Sequence, residues 1–232
     1  MIRTVFFDVA GTLLEVAEPV GHTYARFARS NGLQVDPAAL ERSFAIAFAQ
    51  SPPLAFPDAS SGDLSELERA WWRRIVLTAF EGAGTERDRP ALARTFDAVF
   101  QHFSLPQAWR VFADVRPTLD RLRALGLKLA VVSNFDGRLR HLLEELDLAP
   151  AFAAVVLSSE CGFAKPDPRI FDCALRATAS RAGETLHVGD SESLDVGGAR
   201  AAGLAALRID RGGSGCAGTI RTLDALAGWL AR

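Results

Sequence analysis

The chain has 232 residues, of which 49% are apolar, and its formal net charge is −2. This length allows one domain, or one domain with a large insertion, around a sizeable core. The near-neutral charge excludes a strong field that recruits nucleic acid or an anionic membrane surface, so neither is expected as a partner. No apolar run approaches the roughly 18 residues of a membrane span and no secretory leader pattern is found, so a cytoplasmic protein is expected.

The cysteines point to the same compartment. Cys161, Cys173 and Cys216 are far apart and form no C-x-x-C pair. This spacing predicts neither a disulfide framework nor a zinc site, and it favours a reducing environment.

Five short apolar runs, rich in Val, Leu, Ile and Phe, predict buried strands. They lack strict alternation, as expected for parallel strands that helices cover on both faces. The predicted strands are Thr4–Phe7, Lys128–Val132, Phe152–Leu157, Thr185–Val188 and Ala205–Ile209. The predicted helices beside the last four are Pro117–Leu125, Arg138–Leu146, Pro168–Ala177 and Gly197–Ala202. This alternation predicts an α/β fold with a three-layer, doubly wound, mainly parallel sheet.

The stretch between the first and second strands does not follow this rhythm. Asp36-Pro37 is typical of a helix start, and apolar residues recur at helical spacing from Leu64 to Ala79. A linker, SPPLAFPDASSGD, separates the two helical stretches. We therefore expect an inserted all-helical domain at 16–108 and a core domain formed by 1–15 and 109–232.

Polar side chains follow four of the predicted strands. In open α/β sheets, ligands bind outside the carboxyl ends of the strands. An acid ends the first strand, a hydroxyl and an amide end the second, a lysine lies beyond the third, and two acids follow the fourth. These residues are Asp8, Ser133, Asn134, Lys165, Asp190 and Asp195. Such a combination at one edge of a sheet indicates a chemical site rather than packing.

The charges of these residues suggest the chemistry. Two carboxylates close together repel one another unless a cation lies between them. Asp8 and Asp190 with a hard divalent ion would make an oxygen site with open positions, which suits Mg²⁺. Lys165 and the metal could neutralise a phosphate, while Ser133 and backbone N–H groups hold its oxygens. Asp8 would then be a nucleophile that takes the phosphoryl group from a small phosphorylated metabolite and forms an aspartyl phosphate, which water later cleaves. Lys165 would keep Asp8 ionised.

Four short motifs follow the predicted strands in order: DVAGT (Asp8–Thr12), VVSN (Val131–Asn134), KPDP (Lys165–Pro168) and GDSESLD (Gly189–Asp195). Together they resemble the signature of the haloacid dehalogenase (HAD) superfamily of hydrolases. The insertion after the first motif is similar to the helical cap domain of that family. The resemblance therefore covers the whole chain.

The resemblance implies a metal site. Asp8 would be both the nucleophile and a metal ligand, and Ala10 would lend its backbone carbonyl to the metal. Asp190 would be a second ligand, and Asp195 would support the metal shell.

The resemblance also implies a phosphoryl site. Ser133, Asn134 and Lys165 would bind the phosphoryl group, and Thr12 is similar to the family threonine that steadies the first loop. The pair Asp167-Pro168 independently predicts a helix start, which would fix the loop that carries Lys165.

The first motif departs from the family pattern at Ala10. Phosphatases of the family have a second Asp here, which protonates the leaving group and activates water, and such help is worth roughly 10²–10⁴ in rate. Without it, a phosphatase would favour activated substrates such as acyl phosphates, aryl phosphates or anhydrides. The alternatives are a binding module without turnover, a metal-independent 2-haloacid dehalogenase, against which Asp190 and Asp195 argue, and a phosphonate hydrolase. The last resembles this chain in its alanine but uses a cap lysine, and residues 16–108 contain none.

Other residues have simpler interpretations. His22 and His102 flank the insertion, and either could stand in for the missing acid. His187 lies in a strand and is predicted to be a core residue, and Cys161 is predicted to be a small buried thiol. The sequence GSGCAG (Gly213–Gly218) lacks the context of a dinucleotide site and is predicted to be a loop.

Overall fold

The computed structural model describes residues 1–60, 62–85, 88–213 and 218–230. The chain divides into two compact units. The core unit comprises Met1–Glu15, Leu54–Ser61 and Val111–Arg232, and the inserted unit comprises Val16–Pro53 and Gly62–Arg110. Within the described ranges, no helix is both long enough and apolar enough to cross a membrane.

The strands confirm the predicted parallel sheet. In chain order they are β1 (Thr4–Phe7), β2 (Leu14–Val16), β3 (Trp109–Val111), β4 (Lys128–Ser133), β5 (Ala154–Leu157), β6 (Thr185–Gly189), β7 (Ala205–Ile209) and β8 (Thr219–Ile220). Six of them form one sheet in the order β5-β4-β1-β6-β7-β8, and its neighbouring strands are parallel. β2 and β3 form a separate two-stranded sheet. The five predicted strands are present, whereas β2, β3 and β8 were too short to give a pattern.

Helices occupy both units. In chain order they are α1 (Val20–Ser30), α2 (Pro37–Ala49), α3 (Leu64–Gly82), α4 (Arg89–His102), α5 (Val115–Ala124), α6 (Arg138–Glu145), α7 (Ser158–Cys161), α8 (Pro168–Thr178), α9 (Gly198–Ala201) and α10 (Ala225–Leu230). A π-helical turn, Glu192–Gly197, precedes α9, and 3₁₀ turns lie at Pro106–Ala108, Ala149–Ala151 and Ala182–Glu184. The four predicted core helices are present as α5, α6, α8 and α9. The helices α1 to α4 belong to the inserted unit.

Strand β4 shows why the sheet needs helices on both faces. Its successive side chains point to opposite faces, and Leu129, Ala130, Val131 and Val132 are all at most 1% exposed. Ala130 and Val132 share a buried cluster with Phe171 and other residues of α8, and α5 also contacts β4. The apolar run without alternation therefore marks a strand buried on both faces, as predicted.

The register of the central strands positions the site. Phe7, the last residue of β1, is aligned with Val131 of β4 and with Val188 of β6. The residues that follow each strand therefore emerge at the same edge of the sheet. Asp8 is the next residue after β1, and Asp190 is the next after β6.

The inserted unit has its own core. Tyr24 of α1 stacks on Phe80 of α3 with ring centroids 6.0 Å apart and an interplanar angle of 10°. The side chain of Asp36 accepts hydrogen bonds from the backbone N–H groups of Ala38 and Ala39, at 3.4 and 3.0 Å, which confirms the predicted start of α2. The predicted boundaries of an all-helical domain at 16–108 stay a prediction.

One segment lies in a different unit from the helices that flank it. Leu54–Ser61, within the predicted linker, belongs to the core unit. The Ser158 hydroxyl donates a buried hydrogen bond of 2.6 Å to the carbonyl of Leu54. Gly162 leaves room for the segment, because a Cβ at this position would lie 2.8 Å from Cα of Pro57. These contacts could not be predicted from the sequence, because the residues that make them belong to no periodic pattern of apolar residues.

Candidate active site

The centre of the site is a buried ion pair between Asp8 and Lys165. Nζ of Lys165 lies 2.6 Å from Oδ1 of Asp8 and 2.5 Å from Oδ1 of Asp195. The Lys165 side chain is 2% exposed, and those of Asp8 and Asp195 are 9% and 2% exposed. The Ser133 hydroxyl also donates to Oδ1 of Asp8, at 3.0 Å. The structure thus brings together Asp8, Ser133, Lys165 and Asp195, which the sequence placed at one edge of the sheet.

The loop that carries Lys165 is held by Asn134. The Asn134 amide nitrogen donates to the carbonyl of Lys165 at 2.9 Å, and the Lys165 backbone N–H donates to the amide oxygen at 2.7 Å. Asp167 caps α8 by accepting from the backbone N–H of Arg169 at 2.9 Å, so the predicted helix start is confirmed. Asn134 was predicted to bind a phosphoryl group. In the structure its side chain bonds to the backbone of Lys165, and its role toward a phosphoryl group stays a prediction.

Asp195 is surrounded by donors. Its Oδ1 accepts from Nζ of Lys165 and lies 2.9 Å from Nε2 of His187, and its Oδ2 accepts from the backbone N–H of Ser191 at 3.0 Å. Gly189 makes the approach possible, because a Cβ there would lie 2.1 Å from Cγ of Asp195. Both carboxylate oxygens therefore already have protein partners, which suits the predicted supporting role.

His187 makes a contact with the cluster that the sequence did not reveal. It is fully buried, as predicted for a core residue, but its Nε2 bonds to Asp195. Burial lowers the pKa of His187, which favours the neutral ring, and the tautomer with its proton on Nε2 would donate to Asp195. Nδ1 is buried and has no hydrogen-bond partner among the described residues. The only signal in the sequence was a polar residue within an apolar strand.

The protonation of the cluster follows from burial and from its neighbours. Burial raises the pKa of Asp8 above its ordinary value, although Lys165 opposes the shift. Burial lowers the pKa of Lys165, but Asp8 and Asp195 together outweigh it, so the pKa is raised and the ammonium persists. Burial also acts to raise the pKa of Asp195, yet Lys165 and His187 hold it well below its usual range. Burial and then the charges of Asp8 and Asp195 raise the pKa of Asp190 to about 6.

The carboxylates fit a divalent cation. One oxygen from each of Asp8, Asp190 and Asp195 can be chosen so that all three lie within 4.8 Å of one another. Three carboxyl groups share this site with one ammonium, that of Lys165. Like charges in a low-dielectric site repel strongly unless a cation lies between them. Oxygen donors with this excess charge suit a hard ion such as Mg²⁺.

The first loop is a tight turn beside these acids. The carbonyl of Val9 accepts from the backbone N–H groups of Thr12, Leu13 and Leu14. Gly11 has a φ of +79°, and a Cβ at this position would lie 2.7 Å from Oδ2 of Asp190, so only glycine fits. The Thr12 hydroxyl is buried without a partner in the described ranges. The backbone N–H of Thr12 takes part in the turn, and the steadying role predicted for Thr12 stays a prediction.

Two further candidates from the sequence are His102 of the inserted unit and Cys161 of the core unit. Burial lowers the pKa of His102, whose ring lies 5.2 Å from that of Phe27 within the inserted unit. Cys161 is half-buried, and burial raises the pKa of its thiol to about 11, so it is not a thiolate at pH 7. The predicted loop at Gly213–Gly218 falls largely on residues 214–217, outside the described residues.

Comparison with known proteins identifies the family. A family model described as haloacid dehalogenase-like hydrolase matches residues 2–203. The chain belongs to this family. The human haloacid dehalogenase-like hydrolase domain-containing protein 3 is 41% identical over 204 residues, which are 88% of this chain and 80% of that protein. A phosphoserine phosphatase of Thermus thermophilus is 36% identical over 140 residues, which are 60% of this chain and 54% of that protein.

Solved structures of HAD proteins share the fold. A HAD phosphatase from Thermococcus onnurineus is 25% identical, covers 99% of this chain and 98% of its own, and has a TM-score of 0.67. A 2-haloacid dehalogenase from Pseudomonas syringae is 27% identical, covers 100% of this chain and 99% of its own, and has a TM-score of 0.63. These relatives confirm the predicted family and fold. The two solved structures are named for two different reactions, so the choice between these reactions for this chain must rest on its site residues.

Proposed function

We propose that the chain is a Mg²⁺-dependent phosphatase that acts on a small phosphorylated metabolite through an aspartyl phosphate on Asp8. The observation that carries this proposal is the excess of carboxylate over ammonium around Lys165, which bonds both Asp8 and Asp195. A phosphatase with a divalent cation needs that excess. The phosphatases among the relatives support the same reaction class.

The ion would be held by Asp8 and Asp190, with the backbone carbonyl of Ala10 as a further ligand. Asp195 would support this shell from behind, because its oxygens already accept from Lys165, His187 and a backbone N–H. When bound, the ion would supply positive charge that offsets the carboxylates in excess of the Lys165 ammonium, and it would polarise the phosphoryl oxygens.

The residues of the chain supply the covalent chemistry. A carboxylate oxygen of Asp8 attacks the phosphorus atom, and the bond from phosphorus to the leaving-group oxygen breaks. Water then attacks the same phosphorus, which releases inorganic phosphate and restores the carboxylate. Lys165 and Ser133 both donate to Asp8, so they lie where they can also donate to the oxygens of the transferred group.

The leaving group must depart without a proton from position 10, since Ala10 has none to give. Burial lowers the pKa of His102, which disfavours the protonated form that a proton donor needs. We therefore expect substrates whose leaving group is stable as an anion, such as acyl or aryl phosphates. His22 stays a candidate for a proton donor.

A phosphatase assay with a charge-neutralising variant tests the proposal. Wild type, Asp8→Asn and the control Asp172→Asn, which changes an exposed acid of α8, are assayed on acetyl phosphate and p-nitrophenyl phosphate, with Mg²⁺ and with EDTA. We expect turnover by wild type and the control in Mg²⁺, and none in EDTA or in Asp8→Asn. Phosphate release that is unaffected by Asp8→Asn would refute Asp8 as the nucleophile.

The two main alternatives have distinct readouts. A 2-haloacid dehalogenase is favoured by the neighbour from Pseudomonas syringae, and it would release halide from 2-chloropropionate without a metal. A binding module without turnover would bind beryllium fluoride with Mg²⁺ but give no phosphorylated Asp8 in acid-quenched protein. Mass spectrometry of the quenched protein after incubation with acetyl phosphate separates this outcome from slow turnover.

A further inference from the structure

Arg211, which follows β7, forms a bridge to the first loop that the proposed mechanism does not use. Its Nε donates to the backbone carbonyl of Thr12 at 3.1 Å, and one of its terminal nitrogens donates to the same carbonyl at 2.5 Å. The other terminal nitrogen lies 3.0 Å from Oδ2 of Asp114. Arg211 and Thr12 are 199 residues apart in the chain.

The guanidinium is fixed from several sides. Its central carbon lies 3.7 Å from the centroid of the Phe112 ring. The Arg211 side chain is 15% exposed, and the side chain of Asp114 is 9% exposed. Oδ2 of Asp114 also accepts from the backbone N–H of Leu223 at 2.7 Å, so the acceptor itself is held. A charge pair that is this shielded from water is unlike an exposed surface pair, whose contribution is small.

The carbonyl that Arg211 binds belongs to the tight turn after Asp8. Inside this turn, the carbonyl of Val9 satisfies the N–H groups of Thr12, Leu13 and Leu14. The carbonyl of Thr12 is directed out of the turn, where Arg211 donates to it twice. Between Asp8 and this anchor lie Val9, Ala10 and Gly11, and Gly11 lies against Asp190. A shift at Thr12 would therefore move the backbone that approaches the carboxylates.

We propose that Arg211, oriented by Asp114, is a positioning residue that fixes the first loop beside Asp8. Its effect on turnover rests on the proposed phosphatase function, whereas its effect on the loop does not. Arginine suits the task because its planar fork can donate to a carbonyl on one side and to a carboxylate on the other. A lysine offers one ammonium and cannot hold both groups in that plane.

Two measurements test the proposal on Arg211→Met, Arg211→Lys and Asp114→Asn. The control is Arg123→Met, which removes the same charge from an exposed position of α5. Hydrogen exchange by mass spectrometry should show faster exchange in the peptide that contains residues 9–14 for the three variants, with the central strands unchanged. The control should exchange like wild type.

Turnover of acetyl phosphate should fall about 10- to 100-fold in kcat for Arg211→Met, with a smaller change in KM, because a displaced loop weakens the reacting geometry more than binding. Arg211→Lys should recover only part of this loss. Unchanged exchange at residues 9–14 in all three variants would overturn the proposal, even if the protein is not a phosphatase. Faster exchange throughout the core unit, including in the mild Asp114→Asn variant, would also overturn it, since that result indicates a general structural role.

Discussion

Replacing Lys165 by methionine tests the charge arrangement without any assumption about the reaction. The change keeps most of the side chain and removes an ammonium that lies 2.6 Å from Asp8 and 2.5 Å from Asp195. Because the Lys165 side chain is 2% exposed, water cannot readily replace it. Two buried carboxylates would then face one another without a counter-charge.

The expected loss of stability is large. Removing one partner of a buried ion pair destabilises a protein by about 3–5 kcal/mol. In a chain of this size each kcal/mol shifts the melting temperature by about 2–4 °C, so we expect a decrease of about 6–20 °C in metal-free protein at pH 7. Added Mg²⁺ should reduce this loss if it binds between the carboxylates.

The loss should depend on pH. In the variant, a buried carboxyl without Lys165 has a pKa in the folded state that is above its value in the unfolded chain. Such a group destabilises the fold fully above the folded-state pKa, and the effect disappears below the unfolded-state pKa of about 3.9. The difference between variant and wild type should therefore be largest near pH 7 and shrink as the pH falls toward 4.

Calorimetry at several pH values measures these effects and shows whether the two units unfold separately. The matched control is Lys128→Met, the same substitution at the other lysine of the chain. Lys128 is exposed and donates to the carbonyl of Thr178, so its loss should cost less than about 1 kcal/mol. Equal losses for Lys165→Met and Lys128→Met, or a Lys165→Met loss that does not change with pH, would refute the charge cluster.

Further variants at three positions, Ala10, Asp190 and His187, probe the site. Ala10→Asp should raise kcat on alkyl phosphates by about 10²–10⁴ and change aryl phosphates little, and no effect would mean that another group already donates the proton. The pKa of Asp190 is raised to about 6; metal-free wild type should therefore lose stability as the pH rises from about 4 to 6, since the unfolded chain releases this proton first. In urea unfolding at several pH values, Asp190→Asn should not show the part of the pH dependence of stability that comes from Asp190. His187→Phe should destabilise the protein by about 1.5–3 kcal/mol, because Asp195 loses a hydrogen-bond donor. His187→Gln should cost less, since glutamine can still donate. Equal losses for the two variants would contradict the role of His187 as a donor to Asp195.

The part of the site that was predictable is the part that the sheet determines. Parallel strands in register deliver the residues that follow them to one edge, so Asp8 and Asp190 could be placed together from the strand pattern alone. Lys165 was predicted from its chemistry and its loop. In the structure it bonds to Asp8, as that reasoning required.

The part that was not predictable depends on single contacts between distant residues. The bond from Arg211 to Thr12 spans 199 residues, and nothing periodic marks either end. The partner of His187 is set by the π-helical turn at Glu192–Gly197, which returns Asp195 toward β6. Asn134 was assigned to phosphate because its type and position matched the family. Its observed partners are the backbone carbonyl and N–H of Lys165. Every residue has these groups, so the sequence cannot mark them as partners.

The charge of the cluster also bears on the choice between the two reactions. Neither a dehalogenase nor a phosphatase of activated esters needs an acid at position 10, so Ala10 does not separate them. Charge does, because a metal-independent dehalogenase would have to bring an anionic haloacid beside three carboxylates that one ammonium balances only in part. A divalent cation held by these carboxylates would instead attract the anionic phosphoryl group. Asp190 supplies the third carboxyl group, so under the proposed function Asp190, rather than Ala10, would be the residue that favours phosphoryl transfer.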